Sequence, residues 1–90
     1  MYSSDAKATT LTASGEIFAG PGRVAQILYS GGLVAGSIRI RDDGATGDIL
    51  LDVATIGGVQ QLDFSRTPFY CKTNIYVELT DVVSCTVVHI

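Results

Sequence analysis

Polar and apolar residues along this chain alternate with a period of two or run in short apolar blocks, and no window carries a helical period. Gly, Asp, Thr and Ser interrupt the pattern roughly every 6 to 12 residues, the punctuation of an all-β sandwich or barrel. The pattern predicts strands over 7–13 (extended structure resuming over 16–19), 23–29, 36–41, 48–54, 59–65, 69–72, 75–80 and 84–90. Ser14-Gly15, Gly20-Pro21-Gly22, Ser30-Gly31-Gly32, Asp42–Gly47, Gly57-Gly58, Arg66-Thr67-Pro68 and 81–83 are the breaks. Gly supplies positive φ and Pro fixes φ, so these segments end strands rather than continue them. The expected architecture is a single small β-sandwich of about eight antiparallel strands over 7–90. Residues 1–6 are expected to be a flexible N-terminal tail.

Two segments have the clearest faces. In Gly36–Arg41, Ile38 and Ile40 face one way and Arg39 and Arg41 the other. In 48–54, Ile49, Leu51 and Val53 share a face opposite Asp48, Leu50 and Asp52. Paired as a hairpin, the two arginines would meet Asp48 and Asp52, each contact contributing about 0.2–1 kcal/mol. The last segment differs. Cys85, Val87 and His89 form one face and Thr86, Val88 and Ile90 the other, so both faces carry apolar groups. A strand with water on one side alternates more cleanly. Either the strand is central or a partner chain covers the second face, and a sheet in so small a chain favours the partner.

Composition narrows the function classes. The chain has 90 residues, 47% of them hydrophobic and 17% charged, with a formal net charge of -3. That composition is foldable, not disordered, and its acidic balance argues against a nucleic-acid backbone as ligand. No apolar run approaches a membrane span of about 20 residues. The first residues have no apolar core of a signal peptide, so the expected site of synthesis is a cytoplasm without cleavable export. His89 is the only histidine, and Cys71 and Cys85 are the only cysteines.

The candidate chemistry is thin. Asp42-Asp43-Gly44-Ala45-Thr46-Gly47-Asp48 gathers three carboxylates in a glycine-bearing loop. Calcium takes such ligands, but the spacing fits no EF-hand, and a polar hairpin turn is the expected reading. The Gly-rich breaks lack the Lys and helix of a phosphate loop. Cys71 and Cys85 are expected to be buried free thiols. Cys85 and His89 sit four apart on a strand, about 13 Å along it, too far for a dyad. His89 is expected at the surface or in an interface. No nucleophile, base and orienting group can be assembled, so no enzyme, catalytic residue, metal or cofactor is expected. Tyr76 faces away from Ile75, Val77 and Leu79 and could stack on a sugar, or pack in an interface, where Tyr is enriched.

Three pieces in order, Ala13–Gly22 (ASGEIFAGPG), Gly36–Val53 (GSIRIRDDGATGDILLDV) and Asn74–Ile90 (NIYVELTDVVSCTVVHI), resemble the small all-β virion proteins of tailed bacteriophages, the capsid-decorating and head-fibre-like accessory proteins. Cys85 stands where such proteins usually carry Val. The resemblance implies a jelly-roll-like sandwich that self-associates, with a trimer among the implied forms. It implies a virion location, a non-enzymatic structural role, and other virion proteins as partners, with no nucleic acid and no membrane. Tyr76, Thr86, Val88 and Ile90 are the candidate interface residues. A carbohydrate- or ligand-binding β-sandwich module is the alternative.

Overall fold

A computed structural model of the chain describes residues 7–64 and 69–90. The expected tail over 1–6 and the break at Arg66-Thr67-Pro68 lie outside those residues. The described residues form nine strands: β1 (Lys7–Leu11), β2 (Gly15–Phe18), β3 (Gly22–Gly31), β4 (Gly36–Asp42), β5 (Asp48–Thr55), β6 (Gly58–Asp63), β7 (Phe69–Cys71), β8 (Ile75–Thr80) and β9 (Val82–His89). β6 and β7 both pair with β3, against Gln26–Gly31 and Gly22–Val24 in turn. The count exceeds the expected eight by one because the first expected strand, 7–13 resuming over 16–19, divides into β1 and β2 on different sheets.

The topology follows from one long antiparallel hairpin. β4 pairs with β5, β3 with β6 and β7, β2 with β8, and β1 with β9. The hairpin's tip is the loop after β4, where Asp43 and Gly44 take φ of 75° and 82°. Two positive φ values in succession suit a tight turn whose twist matches the strands it joins. Rolling the hairpin up adds the pairs β9 with β3 and β8 with β4. The result is a five-stranded sheet, β1-β9-β3-β6 with β7 also on β3, against a four-stranded sheet, β2-β8-β4-β5. This wrapping is a jelly roll.

The core lies between the sheets. Val24, Ile27, Val87, Cys85 and Cys71 from the five-stranded sheet meet Ile38, Ile40, Ile75 and Val77 from the other, all fully buried. Leu11, Leu51, Val53, Leu62, Phe64 and Phe69 close the margins. β9 is central, flanked by β1 and β3. Its second face is therefore half-covered by neighbouring strands within the chain, and its apolar character alone does not require a partner.

One expected face is corrected. The β4–β5 register shifts between Ile40 and Arg41, so Ile40 lies opposite Leu51 but Arg41 opposite Ile49. Leu50 is the extra residue of a bulge, and a bulge inverts the side-chain phase beyond it. Leu51 and Val53 still pack on the core. Ile49 turns out to 47% exposure.

Candidate interaction surfaces

The outer face of the four-stranded sheet is a charged ladder. Arg39 sits between Asp52 and Glu78 in the register. Its Nε donates to Asp52 at 3.2 Å and its Nη1 to Glu78 at 3.4 Å. Arg41 Nε donates to Glu78 at 2.8 Å, and its Nη1 to the Gly47 carbonyl at 2.9 Å. Arg41 thus does not meet Asp48, which the bulge places opposite Asp42. The hydrogen bond from Arg41 holds the Glu78 carboxyl below its ordinary pKa. Tyr76 lies on this face between Glu16 and Arg41, half-buried. Among the described residues, no aromatic ring packs beside it. Tyr70, the most exposed of the described aromatics, belongs to the other sheet and lies under Arg23 at 5.0 Å.

The acidic loop is a structural clamp. Asp42 is buried, and its carboxylate accepts the backbone N–H groups of Lys72 at 3.2 Å, Thr73 at 2.9 Å and Asn74 at 3.4 Å. Asn74 returns the contact, accepting the N–H groups of Asp43 at 3.1 Å and Gly44 at 3.0 Å. The Thr73 bond contributes most to keeping the Asp42 pKa low, ahead of the opposing effect of burial. A carboxylate so occupied has little left to offer a cation. Among the described residues, no group of His, Cys, Asp or Glu is gathered to hold a metal ion.

His89 is not at the surface as expected; it is 3% exposed. Its ring packs on Phe18 with centroids 5.4 Å apart, and Thr9 Oγ1 lies 3.5 Å from its Nε2. The alternation of β9 puts residue 89 on the side of Val87, and β2 closes over it. Burial and the nearby Lys7 push its pKa down, which keeps the ring neutral. Cys71 and Cys85 are buried free thiols, each pushed up to about 11 by burial. Thiols of that kind are poor nucleophiles.

One end of the molecule is apolar, a surface that strand alternation does not mark. The β3–β4 loop (32–35), the β5–β6 connection at Ile56-Gly57 and the turn at Asp81 converge there. Backbone packs on backbone: a Cβ on Gly31 would sit 1.9 Å from the Ile56 carbonyl oxygen, and one on Gly36 the same distance from that of Thr80. Leu33, Val34, Ile56, Val59 and Val83 are left outside, from 59% to fully exposed. The signal was present in Gly-Gly-Leu-Val-Ala-Gly and Ile-Gly-Gly, apolar residues stranded between glycines that deny them a strand face.

The outer face of the five-stranded sheet contrasts with the ladder. One row across it reads Thr10, Thr86, Leu28 and Gln61; the next reads Ala8, Val88, Gln26 and Asp63. Ser84, Ser30 and Val59 follow toward the apolar end. Thr10 and Thr86 join their hydroxyls at 2.7 Å. Arg23 and Asp63, one of each sign, lie at one margin, and the rows between them and the apolar end carry no charge. Of the candidate interface residues, Thr86 and Val88 share this face. Ile90 continues it, exchanging backbone bonds with Arg23 at 2.8 and 3.0 Å. Tyr76 is on the opposite sheet. No family model, curated protein or solved structure matches the chain.

Proposed function

We propose that the chain is a non-enzymatic structural protein of the phage-virion kind, a jelly-roll subunit that binds its own copies and neighbouring capsid or tail proteins. The observation that carries this reading is the apolar end. Five aliphatic side chains stand in solvent there, while Arg39, Arg41, Asp42, Glu78 and His89 are engaged within the chain. Exposed aliphatic side chains gathered at one end of a small domain mark a surface for another molecule. The jelly roll is also a fold of viral capsid subunits, which adds support by analogy alone.

The test is mass spectrometry of purified virions made from the genome that encodes the chain. The chain is expected in the particles in many copies. Leu33→Asp combined with Ile56→Asp changes only exposed positions and is expected to lower its occupancy by about tenfold or more. A chain absent from the particles, or one whose occupancy is unmoved by the double variant, overturns the reading.

A further inference from the structure

We propose that the outer face of the five-stranded sheet is a self-interface, on which two copies of the chain pack about a two-fold axis. This rests on the reading that the chain acts by association, and it gives that association a face and a partner. The first argument is charge. Stacked sheets lie about 10 Å apart, which leaves room for interdigitated small and β-branched side chains. It leaves no room for unpaired arginines or carboxylates, whose burial is costly. The rows through Thr86, Leu28 and Ser30 carry no charge, whereas the other sheet presents Arg39, Arg41, Asp52 and Glu78.

The second argument selects a copy of the same chain as the occupant. The molecule carries a net charge of -3, so a charged face turned on its own copy would add contact repulsion to the long-range repulsion, and an uncharged face adds none. A two-fold contact brings the same patch to both sides, and away from the Arg23–Asp63 margin this face is uncharged on both. Its hydroxyls are also partly satisfied before contact, since Thr10 bonds Thr86, which lowers the cost of removing water.

The third argument is area. Strands of 5, 8, 10 and 6 residues, at about 3.3 Å per residue and about 4.8 Å apart, give a flat footprint on the order of 450 Å², the Arg23–Asp63 margin included. The accessible area of a pleated face exceeds its footprint. Val59, 79% exposed on the same face, and the neighbouring apolar end extend it toward the roughly 800 Å² per partner of a stable interface.

Light scattering of the full chain from about 10 μM to about 1 mM tests the proposal. The wild-type mass is expected to rise to twice 9.5 kDa. Thr10→Lys combined with Gln61→Lys changes the two exposed positions at the ends of the row that runs through Thr86 and Leu28, and is expected to raise the dimer Kd by about tenfold or more through like-charge contact. Ala54→Lys, on the exposed part of the opposite sheet, is expected to leave the mass unchanged, and circular dichroism confirms that all variants fold. A chain at 9.5 kDa throughout, a dimer indifferent to the face variants, or a particle of three subunits overturns the proposal. A monomeric chain that is nonetheless found in virions would sink this face and leave the broader reading standing. A dimer absent from virions would do the reverse.

Discussion

Asp42 is the residue on which the far end of the fold turns. Its carboxylate organises the segment after β7 through three N–H groups, and Asn74 organises the β4–β5 turn in exchange. The folded pKa of Asp42 lies below its ordinary 3.8. Its contribution to stability is therefore complete above that value and is lost as pH falls through the folded pKa. Asp42→Asn is expected to melt lower than wild type at pH 7, with the gap closing toward about pH 2; melting curves that stay parallel with pH would refute the clamp. Loop composition marked this segment as a turn, but the partner that makes it a clamp, Asn74, lies 32 residues away. His89 is buried, against the expectation, for a related reason. Strand alternation fixes its face, but only the placement of β2 and Phe18 decides that the face is covered.

At the level of elements, strand positions were legible almost throughout, because period-two alternation and glycine punctuation are local signals. The exceptions are departures from alternation. The bulge between Ile40 and Arg41 moves Ile49 outward and hands Arg41 to Glu78, and one inserted residue leaves no mark in composition. The glycine joints at the apolar end show the same dependence on context. Gly36→Ala would drive a Cβ to 1.9 Å from the Thr80 oxygen and 2.9 Å from the Asp81 Cβ. It is expected to cost on the order of 2 kcal/mol or more. In Gly57→Ala the Cβ would meet only the Gly32 oxygen, at 3.6 Å, and should stay within about 0.5 kcal/mol of wild type. Chemical denaturation of the two variants measures the difference; equal midpoints would contradict the described packing.

The whole molecule presents two unlike faces and one apolar end. Which strands neighbour each other is set by rolling up a hairpin, a step no local pattern encodes, and the order is fixed only when the two sheets are formed. Once they are, Thr86 and Val88 part company with Tyr76, and the sequence-based grouping resolves into a neutral sheet and a charged one. The central claim is that the neutral sheet is where the molecule meets its own kind. A concentration series of amide nitrogen–proton NMR spectra reads this residue by residue. The account predicts that signals of Thr10, Leu28, Gln61 and Thr86 shift as concentration rises while those of Arg39, Tyr76 and Glu78 hold still. Shifts confined to the charged sheet, or a spectrum that does not change with concentration, would contradict it.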